Sequence, residues 1–307
     1  MVNKSLKKRR RKVSPGERAF QLSNGLILSI VGAVTALPFL YVFIKSLISY
    51  RFDPVTSIKR TIFSFNAYSY IFEDERIFKA FFLTVFVVIV STALHVIITL
   101  LAAYALSKKH LRGRKAMLIF VLTTMIFGGG LIPYYILITQ QLDIDNTILV
   151  DIDNTILVYI LPGLVSGFNI IIAKNFFLSI PTSIEEAARI DGASDFQILW
   201  SVVLPLCKPI IATISLWFAV GKWNDYMTGM LYMTNSDSLL IQNVLRDMLI
   251  DNSGMGNMLG LGQSDAFMLA DNIKMAVIII ATIPIVCVYP FVQKYFIHGV
   301  MLGSVKE

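Results

Sequence analysis

Long stretches without a single charged side chain constrain this chain more than any other feature. Residues 25–44 carry no charge before Lys45. Further uncharged runs lie between Lys79 and Lys108, Lys115 and Asp143, Asp153 and Lys174, and Lys274 and Lys294. A helix needs about 20 apolar residues to cross roughly 30 Å of hydrocarbon, and each run reaches or approaches that length. The stretch from Val202 to Asn224 is interrupted by Lys208 and Lys222. A lysine near either end of a span can reach the nearer interface with its ammonium. Of the 307 residues, 56% are hydrophobic and 15% charged, and the mean hydropathy is +0.69. Soluble domains average about 25% charged residues, so a water-facing surface cannot be assembled here. That excludes a secreted disulfide scaffold and a nucleic-acid-binding domain, and it argues against a soluble enzyme. Cys207 and Cys287 sit in apolar surroundings with no CxxC, as small hydrophobes do, and His95, His110 and His298 are too scattered for a metal site.

The expectation is an all-α membrane protein: a basic tail, 1–24, then a six-helix transmembrane domain, 25–307, with helices at about 25–45, 80–106, 116–138, 156–175, 202–224 and 274–296. Six crossings put both termini on one side. The run from Lys4 to Lys12 places that side in the cytoplasm by the positive-inside rule. The inner segments then carry a net +12 and the outer ones −5, although Lys59, Arg60, Arg76 and Lys79 fall outside. The tail reads as an anchor for anionic lipid and a topology signal. The first span is too long for a signal peptide and reads as an uncleaved anchor.

Between the spans, the outer loop 46–78 is polar and aromatic and expected to be partly helical, and Ser107 to Lys115 is short and basic. The octapeptide Asp143–Val150 is repeated as Asp151–Val158. A Ca²⁺ loop needs Gly at its sixth position and Glu at its twelfth; neither is present, so the repeat reads as a local duplication without chemistry. The outer loop 225–272 is expected to be irregular around Asn252–Met258 and to serve as a docking surface. The inner loop 181–201 is the most informative. Ser183 with Glu186, and Ser194 with Gln197, have capping-box spacing, and Gly192 stands where a helix end takes a left-handed residue. Two short cytoplasmic helices joined by a glycine corner follow, with Ala187 and Ala188 as a small-residue patch for close approach by another protein.

Glu186-Ala187-Ala188, then Gly192, then Val202-Val203-Leu204-Pro205 resemble, at that spacing, the "EAA" signature of permease subunits of binding-protein-dependent ABC importers; Val202 stands where the family usually has isoleucine. Gly129-Gly130-Leu131-Ile132-Pro133, the run Glu185 to Asp195, and Gly221-Lys222-Trp223-Asn224 resemble the maltose-type carbohydrate importers, in their complex-oligosaccharide branch. The likeness spans roughly residues 20–307, and the duplicated octapeptide departs from it. It implies the ABC importer type I permease fold in a prokaryotic cytoplasmic (inner) membrane. The implied partners are a second homologous permease, two ATPase subunits on the cytoplasmic side, and an extracellular or periplasmic solute-binding protein. In that family the two-helix loop couples to the ATPase. Carried over, Glu185, Glu186, Ala187 and Ala188 form the docking surface, Gly192 is the corner, and Leu204-Pro205 lead into span five.

The chain has no G-x-x-x-x-G-K-[ST] phosphate loop, no H-E-x-x-H, no G-x-S-x-G and no paired carboxylates. It is therefore read as a non-enzyme with no catalytic residue, metal or cofactor of its own, and ATP and Mg²⁺ belong on the partner ATPase. Among the spans only Asp225 is acidic and near an end. Ion-coupled transporters carry intramembrane carboxylates, so secondary transport is disfavoured and a neutral solute favoured. Sugars suit aromatic faces and amides. Candidates for the path are Phe168 and Asn169 in span four, Trp223 and Asn224 at the outer end of span five, and Tyr134 and Tyr135 at the outer end of span three. Trp223 and the tyrosines equally suit an interfacial aromatic belt, and Asn169 equally suits interhelical packing. The competing functions are an importer permease for another small solute, such as an amino acid, polyamine or phosphate, and an ATPase-independent secondary transporter or channel. A membrane-embedded enzyme is more distant. The sequence does not name the sugar, nor say which permease contacts it.

Overall fold

The structure is a computed structural model that describes residues 14–52, 59–141, 155–250 and 263–304. Its axis is the helix α3, Glu75–Ser107; α1 is Pro15–Leu47 and α2 is Asn66–Glu73. Helix α3 starts where the Asp74 carboxylate accepts the Arg76 N–H, and it runs 33 residues without Gly or Pro. At 1.5 Å per residue that is about 50 Å, ample for a bilayer. One face buries Thr84, Ser91, His95 and Thr99. The Thr84 and Ser91 hydroxyls donate back to the carbonyls of Ala80 and Val87. Small side chains with satisfied hydroxyls let neighbouring helices approach closely, which matters because lipid tails are as apolar as Leu and hydrophobicity alone does not hold such helices together.

Three packed clusters lie along α3. The first joins Leu100, Ala103 and Tyr104 to Ile170, Ala173 and Phe177 of α7 (Gly167–Leu178) and to Ile198, Val203, Cys207 and Ile214. The second joins Ile77 and Ala80 to α2, Trp223, Ile241 and the face Ile273, Ala276, Val277 and Ala281. The third surrounds Val87 with Ile138, Val158, Tyr159, Tyr232 and Leu240. By contrast α1 buries only Ser46 and Leu47 and leaves side chains such as Leu26, Ile30 and Phe39 exposed.

Among the described residues, Pro15–Leu47, Glu75–Ser107 and Asp271–Pro290 are long and apolar enough to cross a membrane, and five segments qualify if two bent pairs each count as one. The remaining apolar runs depart from the unbroken helices expected of them. In 116–138, α4 (Arg114–Ile126) and α5 (Leu131–Ile136) meet at 110°, because Gly129 and Gly130 take φ of 70° and 88°. Such values suit Gly and break a helix. In 156–175, α6 (Leu157–Ile160) is separated from α7 by a segment with Pro162 and left-handed Gly163, and Ser166 accepts the Asn169 N–H at the start of α7. The expected helix 202–224 is bent by 81° at Cys207. Pro205 and Pro209 flank that bend, and proline lacks the N–H that would continue a helix.

The inner loop holds α8 (Thr182–Ile190) and α9 (Asp195–Gln197), which runs on through a π-helical turn, Ile198–Val203, and α10 (Leu204–Leu206). Beyond the bend follow α11 (Lys208–Trp223), α12 (Met227–Tyr232), α13 (Ile241–Ile250) and α14 (Gln263–Ser304). The outer loop 225–272 is thus largely helical in its first half, where Ile241 and Val244 bring an apolar face onto the second cluster. Asn252–Met258, residues 1–13 of the basic tail and all of the octapeptide repeat except 155–158 lie outside the described residues, and residues 15–24, expected in the tail, form the start of α1. One departure from an all-α chain is an antiparallel hairpin, β1 (Ile48–Phe52) and β2 (Lys59–Phe63), with Ile48 opposite Phe63.

Candidate solute cleft and inner loop

Breaking a helix inside an apolar environment frees carbonyl groups that must find donors. Two long-range side chains supply them at the interruption before α7. Lys222 of α11 donates from Nζ to the carbonyl oxygens of Tyr159 at 2.7 Å and Pro162 at 3.3 Å, and its third neighbour is the Asp225 carboxylate at 3.7 Å. Asp225 in turn accepts the backbone N–H and hydroxyl of Thr228. His95 of α3 covers the next carbonyl: its Nδ1 lies 2.6 Å from Leu164 O, and its Nε2 lies 2.9 Å from Asn169 Nδ2. With Nδ1–H donating, Nε2 is free to accept the amide N–H. The ring stacks on Phe218 of α11 at 3.9 Å and 8°. Lys222 therefore does not extend to an interface as expected. It turns inward, because the broken segment offers it carbonyls.

A cleft of about 380 Å³ opens beside this knot, lined by Gly163, Ser166, Phe168, Asn169, Trp217, Phe218, Gly221, Lys222 and Asp225. Phe168 and Trp217 approach at 5.9 Å with planes 31° apart. Of the six residues expected along the path, Phe168 and Asn169 line the cleft, and Asn169 is also bonded to His95, the interhelical contact weighed for it. Trp223 is elsewhere. It is buried, its indole N–H donates to Ala281 O at 2.9 Å, and Phe81 meets it edge-on, so it serves neither a solute nor an interfacial belt. Asn224 is exposed and donates to Val220 O. Tyr134 borders a separate hollow on the other side of Gly163, and Tyr135 stacks on Tyr232. Trp217, Phe218, Ser166 and Lys222 were not anticipated in the cleft. Their signal was Lys222 itself, a cation in an apolar run, together with the Pro162-Gly163 break in the preceding run.

At the inner end, α8 closes with a Schellman motif. Ala193 N–H reaches Ala188 O, Gly192 N–H reaches Arg189 O, and Gly192 holds φ +82°. Arg189 bridges the corner to Asp195 at 2.6 Å. The second expected capping box is present, with Ser194 and Gln197 bonded reciprocally. The first is not. Pro181 is the N-cap of α8 and Ser183 lies inside the helix, so its hydroxyl caps nothing. The four docking candidates face different ways. Glu186 and Ala187 are exposed, Ala188 packs inward on the first cluster, and Glu185 is paired with Lys108. Ile190, which was not singled out, is 87% exposed at the tip. Leu204 is half-buried and Pro205 exposed, and both line an apolar groove between α3 and the bend.

Residues 25–301 match the family described as "Binding-protein-dependent transport system inner membrane component". The chain is 41% identical over 286 residues to the polygalacturonan/rhamnogalacturonan transport system permease protein YtcP of Bacillus subtilis, covering 91% of this chain and 95% of that one. It is 39% identical over 297 residues to protein LplC of the same organism, covering 94% and 95%. A chain from the crystal structure of a bacterial ABC transporter involved in the import of the acidic polysaccharide alginate superposes with a TM-score of 0.80 at 30% identity, over 92% of this chain and 98% of that chain. The chain belongs to the family of inner-membrane components of binding-protein-dependent transport systems.

Proposed function

We propose that this member of the family is the permease subunit of an ATP-driven importer that forms half of the path for an oligosaccharide delivered by an extracellular binding protein. The alignment at 41% identity over nearly the whole length of a sugar-system permease carries the reading. The cleft supports it. Paired aromatic rings beside an amide and a hydroxyl suit a sugar face and its hydroxyl groups, and Phe168, Trp217, Asn169 and Ser166 supply these. The expectation of a neutral solute loses its premise, because Lys222 and Asp225 stand in the cleft wall.

In this reading the chain crosses the membrane six times, the bent pairs counting as single spans and α6 with α7 completing the set. Both termini are cytoplasmic, and the loop 181–201 meets one of two ATPase subunits, where ATP and Mg²⁺ bind. A second permease completes the path. The chain performs no covalent chemistry: ATP-driven closure of the partner favours one of two permease states, and the solute binds them unequally. Reconstitution with a second permease, the ATPase subunits and a binding protein, in proteoliposomes, tests this. ATP turnover stimulated by a glycan-loaded binding protein, with uptake of that glycan, is expected. Uptake that persists without ATP would leave a channel or secondary carrier instead.

A further inference from the structure

The inner loop is tied to the rest of the protein at a point other than its own chain ends. The Glu185 carboxylate on α8 pairs with the ammonium of Lys108, the residue that ends α3. Their side chains are only 20% and 17% exposed, so water screens this pair far less than an open surface pair. Lys108 also sits 4.0 Å from the centroid of the Tyr104 ring, and Tyr104 meets Phe177 of α7 edge-on. The pair spans a crevice of about 300 Å³ between the ends of α3 and α7 and the inward face of α8. Of the other charged or titratable groups there, Arg189 is held by Asp195, and Lys109, His110 and Glu186 are exposed.

We infer that Lys108 is a positioning residue that fastens α8 to the inner end of α3, so that motion of the loop drives α3 directly and not only through the chain on either side of the loop. This rests on the proposed role of the loop as the ATPase-facing element. Helix α3 is the element with most to transmit. It threads all three clusters and carries His95, which holds Leu164 and Asn169 at the cleft. Glu185 is then an internal fastening, and Glu186, Ala187 and Ile190 are the outward surface.

The test is uptake per ATP hydrolysed in the full reconstituted assembly. Lys108→Ala and Glu185→Lys lower that ratio about tenfold, the size of one charge-assisted hydrogen bond. Lys108→Arg keeps it, and the exchanged pair Lys108→Glu with Glu185→Lys recovers most of it. Single variants at the wild-type ratio, or an exchanged pair no better than the worse single, overturn the inference. Where the charge variants fail to assemble, Lys108→Cys with Glu185→Cys, joined by a short thiol-to-thiol crosslinker, provides the second readout. Uptake that survives the crosslink supports a fastening that stays closed through the cycle, and uptake that stops overturns it. A wild-type assembly without ATP-driven uptake removes the functional reading itself, and the inference with it.

Discussion

The ammonium of Lys222 lies 2.7 Å from the carbonyl oxygen of Tyr159, across 63 residues of chain, and so closes a break in one helix with a side chain from another. A carbonyl left without a donor in a low-dielectric interior carries its full desolvation cost. The two elements are therefore one folding unit.

Lys222→Met keeps the length of the side chain and removes its donors. It is expected to cost about 1–3 kcal/mol, as an unsatisfied buried acceptor does. Thermal unfolding in detergent checks this, and a midpoint equal to wild type would mean that water replaces the ammonium at Tyr159 and Pro162.

The His95–Asn169 contact joins α3 to α7 in the same knot. Asn169→Leu and His95→Phe should each destabilise, and the double variant should cost less than their sum by about 0.5–3 kcal/mol, because either one alone already breaks the shared bond. Additive costs in a double-mutant cycle on unfolding would show that the amide works independently of the imidazole.

Gly192 has open space around the position of a Cβ, so a substitution there meets no neighbour and acts through the backbone alone. With φ at +82°, Gly192→Ala is expected to cost about 1–2 kcal/mol. Gly192→Pro, fixed near −65°, should open the corner and abolish ATP-driven uptake while the protein still reaches the membrane. Normal uptake by the proline variant would rule out a required corner.

Glu186 and Ala187 present the outward face of α8. Reversing the charge and enlarging the small residue, Glu186→Lys with Ala187→Asp, should prevent association with the ATPase without disturbing insertion. Co-purification of the complex at wild-type yield would place the docking contact elsewhere on the loop.

Local chemistry was legible before the structure, and distant chemistry was not. Gly192 and the Ser194–Gln197 box are decided within a few residues, and both formed. Ser183 failed because Pro181, two residues earlier, had already begun the helix. The breaks had visible signals in Gly129-Gly130 and Pro162-Gly163, but uninterrupted apolarity outweighed them, since hydropathy registers length and not direction. The hairpin left a trace in the alternation of Ile48, Tyr50 and Phe52 with polar neighbours. The carbonyl partners of Lys222 and Trp223 and the ion-pair partner of Glu185 lie 58 or more residues away, and no local pattern marks such pairs.

The Schellman closure and the Arg189–Asp195 bridge leave the junction of α8 with the following segment no slack. On the proposed coupling role, torque applied to one arm would arrive at the other as rotation rather than flexing. One residue inserted between Ile190 and Ser194 would break the spacing of the Ala188–Ala193 and Arg189–Gly192 bonds and re-aim the second arm, while the Ser194–Gln197 box within that arm survived.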